Sequence, residues 1–217
     1  MAASTATFQR ARSAEHKTQR REAILAAAAE LARRRGVREI SLADIASEVG
    51  IHKSALLRYF ETREQIFLEL SSRAWEEWAA SVETRLATAR ADEAAAVLAR
   101  SFADRPLLCD LIAHIALNLE RHVSVEAVRR YKLTSLAAVR RTAAAVAAVV
   151  PGLSEPGARE LVSVMARLAG STWQIANPPA PLAELYRSDP ELAHACVDLE
   201  RDLTRTAALL IAGLLAG

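Results

Sequence analysis

The chain has 217 residues, of which 52% are apolar and 25% charged, and its net charge is +2. That balance supplies a substantial core and excludes a disordered chain. Abundant Ala, Leu and Arg, only 7 Gly and 7 Pro, and few runs of β-type alternation point to an all-α protein. The charge is unevenly placed: residues 1–63 hold 12 Lys and Arg against 7 Asp and Glu, whereas the remainder holds 16 against 19. A basic N-terminal quarter on a near-neutral body suggests that one end meets a polyanion.

In chain order, Met1 to Lys17 lacks the apolar segment of a signal peptide and reads as a disordered basic arm over 1–17; Arg10, Arg12, Arg20 and Arg21 are either loose cations of a floppy tail or contacts to a polyanion. Thr18 can cap a first helix whose apolar stripe is Ile24, Leu25, Ala28 and Leu31. The helix ends in "RRR" at 33–35 with Gly36 as its left-handed stop. Ser41 with Asp44 three residues on forms a capping-box variant opening "LADIASEV", which Gly50 closes. A short basic helix follows over 52–60, "HKSALLRYF". Thr62 with Gln65 then caps a long helix from Arg63 to about Ala89. Five further helices are predicted near 92–103, 106–122, 125–149, 155–176 and 189–215, the last marked by Ser188, Pro190 and Glu191. The domains expected are the arm, a helix-turn-helix unit over 18–62, and a helical bundle over 63–217.

Two short helices joined by a tight turn at Gly50–Ile51 make a helix-turn-helix. Ala46 lets the helices approach. Ile45, Val49, Ile51, Leu56 and Phe60 supply a small core, and Lys53, Ser54, Ala55 and Arg58 are left facing outward. Lysine and serine reach base edges or phosphates, and an alanine methyl can touch a thymine methyl. Spacing alone fits an αα-corner with a solvated basic face equally well.

The stretch "SLADIASEVGIHKSALLRYFETREQIF" at 41–67 resembles the DNA-binding signature of the tetracycline-repressor (TetR) family of bacterial transcriptional regulators. The resemblance runs from about Thr18 to Leu70. It implies double-stranded operator DNA as a partner, read as a homodimer on a palindrome, with a helical C-terminal domain for a small-molecule effector and for dimerisation. Carried over by position, Lys53, Ser54 and Ala55 fall where the family reads base edges. Tyr59 and Arg63 fall where it grips phosphates, and Ser41 where a capping residue touches the DNA backbone. Arg63 also stands in a first helical turn, beside amides that attract phosphate. Two positions depart from the pattern. Leu57 replaces a common tyrosine, and His52 replaces a small hydroxyl cap, with DNA contact or plain solvation as its two readings.

After residue 70 the sequence is less specific. Trp75 and Trp78 lie on the long helix. Leu111, His114 and Asn118 lie on the helix at 106–122, Tyr131 on the next, and Met165 and Trp173 on the one after. The resemblance implies a ligand inside such a bundle, and apolar walls with a few polar groups are ordinary pocket chemistry. These eight residues are the candidate ligand contacts, with core packing as the alternative at each. The effector expected is hydrophobic or aromatic. On the last helix Leu192, Cys196, Leu199, Leu203, Ala207, Leu210 and Leu214 recur at spacings of four and three. That seam is either core or, with the helix at 155–176, a four-helix dimer interface.

Cys109 and Cys196 match no metal or redox spacing, so buried thiols, no metal and no cofactor are expected. "AALLIAGLLAG" at 207–217 is too short to span a bilayer, so the protein is expected in the cytoplasm without a membrane partner. A small helical enzyme is disfavoured because no HExxH, P-loop or Ser/His/Asp spacing occurs. An RNA-binding or nucleoid protein is disfavoured by the mild charge and the lack of aromatic-rich RNA-reading motifs.

Overall fold

The computed structural model describes the backbone of residues 2–216 and the side chains from Glu15 to Ala216. Every regular element among them is helical. Helix α1 spans Ala2–Arg35, so it continues back through the segment assigned from sequence to a disordered arm, and Thr18 sits inside it rather than capping it. The reason is local: nothing before Gly36 is Gly or Pro, and Ala, Arg, Gln and Glu all propagate a helix readily. The Arg10 and Arg12 side chains lie outside the described residues. Gly36, at φ 82°, stops α1 and leads into a 3-10 turn at Val37–Glu39.

Helix α2 (Leu42–Val49) is capped as its sequence predicts. Ser41 Oγ accepts from the Asp44 amide at 3.2 Å, and the Asp44 carboxylate accepts from the Ser41 amide at 2.8 Å. Gly50, at φ 69°, closes it in the left-handed region. Helix α3 (Lys53–Leu56) is shorter than the predicted 52–60, and turns carry the chain on to Phe60. Ile24, Leu25, Ala28, Ile40, Ile45, Leu56 and Phe60 are buried together, and they fix α1, α2 and α3 as one unit. Each of the larger side chains contributes about 1.5–3 kcal/mol on burial.

Helix α4 (Arg63–Leu86) belongs to both halves. Its first turn is capped by Thr62 and packs under the N-terminal unit, and the rest lies along α7 (Val125–Val149). Helix α5 (Ala94–Ala103) packs on α10 (Leu199–Ala216), and α6 (Pro106–His114) on α8 (Glu155–Ala176). α6 does not run to 122 as predicted. At Ile115–Leu119 it widens into a π-helical turn, a distortion frequent at functional sites. α8 approaches α6 so closely at Gly170 that a Cβ there would lie 2.9 Å from the Ile112 side chain and 3.0 Å from the Ala113 amide nitrogen.

The predicted helix 189–215 is two structures. A helix missed in the sequence, α9 (Ala180–Ser188), precedes a 3-10 segment at Pro190–Ala195, and α10 begins only at Leu199. Pro179 and Pro181 stand at and just inside the start of α9, where a missing amide costs nothing. Asp189 rather than Ser188 caps the 3-10 turn, accepting from the Glu191 amide at 2.9 Å.

Candidate nucleic-acid interface and effector cleft

The closed core of the N-terminal unit decides which residues of the turn and α3 face outward. Leu56 and Phe60 are buried, whereas His52, Lys53, Ser54, Leu57 and Arg58 are exposed, and Ala55 and Tyr59 are half-buried. His52 is a working cap despite its unusual identity: its Nδ1 accepts from the Ser54 amide at 3.3 Å and lies 2.9 Å from Ser54 Oγ. Ser41 is exposed at the start of α2. Its partner Asp44 is held well below the usual carboxylate range by the Ser41 hydroxyl and the Arg35 guanidinium.

Two arginines depart from their expected places. Arg63 turns inward: it donates to the carbonyls of Val37 and Ile40, pairs with Glu64 at 3.2 Å, and lies over the Phe67 ring at 4.8 Å. Its donors tie the α1–α2 connection to α4, so in this structure the side chain is a structural clamp and not an exposed phosphate grip. Arg21 likewise is no loose cation. It donates to the Tyr59 carbonyl at 2.8 Å, lies 4.0 Å over Phe60, and pairs with Glu69 on α4.

The residues expected to line a pocket in the bundle mostly pack its core. Trp78 stacks on Phe102 with ring centroids 4.7 Å apart, and its indole donates to Ser101 Oγ at 2.8 Å. Trp75 meets Trp78 edge-on at 5.3 Å and donates to the Tyr131 hydroxyl at 3.3 Å. Leu111 and Met165 are fully buried beside them. The indole N–H groups are thus satisfied within the core, by Ser101 and Tyr131, and interlocked side chains occupy the interior that the sequence assigns to a ligand. Burial also pushes the Cys109 thiol up to about 12, which leaves it unreactive. Cys196 is exposed.

His114 and Asn118 face a different way. With Val37, Arg38, Arg63, Glu64, Leu119 and His122 they line a polar recess of about 290 Å³ against the N-terminal unit. Only Trp173 of the eight borders the larger cleft, about 430 Å³, which lies between the end of α1, α4, the start of α6 and α8. Ala32, Gly36, Ala74, Leu107 and Leu108 form its apolar walls, and Arg33, Glu77, Asp104, Arg105 and Asp110 its charged ones.

Asp110 carries a role the sequence does not assign: from sequence it enters only a disfavoured metal set with Cys109, His114 and His122. It is 3% exposed and sits at the junction of the two units. One carboxylate oxygen accepts from the Val37 amide at 2.7 Å and the other from Gln174 at 2.8 Å, and His114 Nδ1 lies 3.2 Å from it. The hydrogen bond to Asp110 raises the His114 pKa, against opposing desolvation and the nearby Arg63 charge. The available signal was an Asp and a His four apart on an otherwise apolar helix, "LLCDLIAHIAL".

The predicted dimer seam is largely spent inside the chain. Leu203 and Ala207 are buried, and Leu199, Leu210 and Leu214 pack partly against the same core, facing α5 and α8. Leu192 and Cys196 precede α10 altogether. The outward face of α10 carries Leu209 (65% exposed) and Leu215. Among the described residues no group of three His, Cys, Asp or Glu side chains is placed to hold a metal, and no helix is long and apolar enough to cross a membrane.

Comparison with known proteins agrees with this architecture. Residues 24–70 match the family of bacterial regulatory proteins of the tetR type, and residues 72–217 match the tetracyclin repressor-like C-terminal domain. No curated protein matches the chain. Among solved structures it is similar to a TetR-family transcriptional regulator from Mesorhizobium loti, at 20% identity and TM-score 0.53, covering 92% of this chain and 96% of that one. It is also similar to Thermus thermophilus FadR, a transcriptional repressor in complex with lauroyl-CoA, at 18% identity and TM-score 0.54, covering 88% and 93%. For Bacillus subtilis FadR in complex with stearoyl-CoA the values are 16%, 0.51, 90% and 98%. At these identities the likeness speaks for the fold alone, but the two family matches together span nearly the whole sequence, from the helix-turn-helix to the end of α10, and on that ground the chain belongs to the TetR family of bacterial transcriptional regulators.

Proposed function

We propose that the protein is a repressor that binds a palindromic operator as a homodimer and is released by a small hydrophobic or aromatic effector. The observation that carries the reading is the outer face of the turn and α3. Lys53, Ser54 and Arg58 project from a small closed core whose opposite side is clamped to α4. Lys53, Ser54 and Ala55 read base edges, with His52 beside them, while Tyr59, Ser41 and Arg58 position the unit on phosphates. Two such units in a dimer stand about one DNA turn apart, or a whole multiple of it, as a palindrome requires. The protein is a binding protein and not an enzyme, and it acts in the cytoplasm, where operator DNA is reached.

Release requires an effector that binds the DNA-competent and released states unequally. The cleft between α1, α4, α6 and α8 touches both halves of the molecule, so filling it acts on their relation. Acyl chains are one effector chemistry to try, because two of the similar regulators were solved with acyl-CoA.

A mobility-shift assay on the DNA flanking the protein's own gene tests the reading. A discrete complex competed poorly by unrelated DNA supports it. Equal binding to every duplex, or none at micromolar protein and low salt, sinks it.

A further inference from the structure

The geometry points to the interdomain cleft, rather than the bundle interior, as an effector site for an organic anion with an apolar body, whose charge is taken by Arg105. The inference rests on the proposed regulatory function and adds the place and chemistry of its ligand.

The bundle interior is closed by Trp75, Trp78, Phe102 and Tyr131 locked against one another. The cleft, at about 430 Å³, lies within the size range of small-molecule sites. Its walls supply an apolar bed in Ala32, Ala74, Leu108 and Trp173.

The charged groups around it are not equivalent. Asp104 pairs with Arg85 at 2.8 Å, Arg33 pairs with Glu30 at 3.5 Å, and Asp110 has its oxygens occupied by Val37 and Gln174. Glu77 is exposed to solvent and makes no ion pair among the described residues, acting on Arg105 only at a distance. Arg105 differs: its side chain is partly buried at the start of α6, it donates only to the Ser101 carbonyl at 3.1 Å, and among the described residues it has no carboxylate within ion-pair distance. Desolvation and the neighbouring Arg85 charge act against its protonated form and outweigh the weaker attraction of Asp104 and Glu77. A guanidinium has five donors in a fixed fork suited to a carboxylate or sulfonate. An anion placed there supplies the missing acceptor and offsets the desolvation.

The cleft also touches the joint between the two units. Gly36 and Asp110 border it, and Asp110 holds the Val37 amide one residue after Gly36. A molecule seated in the cleft therefore lies against both the end of α1 and its anchor on α6.

The test uses two fluorescent probes of similar ring system, 8-anilinonaphthalene-1-sulfonate and the uncharged N-phenyl-1-naphthylamine, titrated into the full-length protein. The wild type is expected to prefer the sulfonate. Arg105→Gln should erase that preference, weakening sulfonate binding about tenfold or more while leaving the neutral probe within about twofold, as loss of a charge-assisted hydrogen bond predicts. Arg105→Lys should restore part of it, and Ala74→Phe, which fills the cleft, should weaken both probes. Sulfonate binding that neither Arg105→Gln nor Ala74→Phe alters overturns the site. Binding to the gene-flanking DNA is measured separately on the same proteins. Loss of DNA binding with probe binding intact contradicts the regulatory reading and not the cleft, whereas a sulfonate that binds through Arg105 without changing DNA affinity removes its effector role.

Discussion

The Asp110 carboxylate accepts a hydrogen bond from the Val37 backbone amide at 2.7 Å, across 73 residues of sequence. The bond is buried, and it is the point where the C-terminal half holds the connection between α1 and α2. Asp110 is itself steadied by Gln174 of α8 and His114 of α6, so one carboxylate ties two helices, α6 and α8, to the N-terminal unit.

Removing that carboxylate leaves the Val37 amide buried without an acceptor. Asp110→Ala should lower unfolding free energy by about 1.5–3 kcal/mol, the range for a hydrogen bond to a charged group. Amide exchange at Val37 should quicken with it. Urea unfolding and native-state hydrogen exchange read the two effects. An unchanged midpoint would mean that the bond contributes nothing net.

The His114 pair gives a pH dependence of known sign. Its pKa is raised by the hydrogen bond to Asp110, so folding favours the protonated imidazole. The stabilisation is fully present below the ordinary histidine value of about 6.5 and is lost as pH rises through the raised folded value. Wild type and His114→Gln should therefore differ more in stability at pH 5.5 than at pH 8.5. A gap that widens on raising the pH would reverse the assignment.

Gly170 is fixed by helix approach rather than by backbone conformation. A methyl there would meet the Ile112 side chain at 2.9 Å and the Ala113 backbone nitrogen at 3.0 Å, and the backbone cannot swing aside. Gly170→Ala should cost about 1–3 kcal/mol by forcing α8 off α6. A Tm equal to or above that of wild type would show that the helices separate freely.

The two kinds of arginine near the DNA face should separate in solution. Arg63→Ala loses bonds to the Val37 and Ile40 carbonyls, so its first effect should be a lower Tm of the folded protein. Arg58→Ala, at an exposed position, should leave Tm unchanged and reduce the slope of log binding constant against log salt by about one unit. Lys53→Gln should change operator preference instead. If Arg63→Ala altered only the salt slope, the clamp described above would be incorrect.

The last helix separates folding from assembly. Leu203 is 1% exposed and packs within the chain, so Leu203→Glu should unfold or aggregate the protein. Leu209 is 65% exposed on the other face, so Leu209→Glu should fold normally and shift a dimer towards monomer. Circular dichroism with sedimentation velocity distinguishes the outcomes. A wild type that sediments as a monomer at micromolar concentration would remove the dimer proposal.

Much of the N-terminal unit was legible because its signals are local. A capping box at Ser41 and Asp44, a left-handed glycine at position 50, and the alternation of Ile45, Leu56 and Phe60 with Lys53 and Arg58 each act within a few residues, so sequence alone determined α2, the turn and the exposed face. Local signals also misled where two elements compete for the same stretch. The 189–215 periodicity ran across a proline-led 3-10 turn, and only the packing of α10 on α5 showed where that helix starts. What tertiary structure alone decided is direction. Arg63 falls, by resemblance, at a phosphate-contact position, yet the Val37 and Ile40 carbonyls beside the Gly36 turn capture its guanidinium. His114 and Asn118 share a face with apolar residues, yet the π turn and the approach of α8 at Gly170 aim them at the DNA-binding unit. The physical reason is the same in each case: caps and periodicity are set by neighbours in sequence, whereas the partner of a buried charge is set by whichever chain segment, 26 or 73 residues away, brings a backbone polar group within reach.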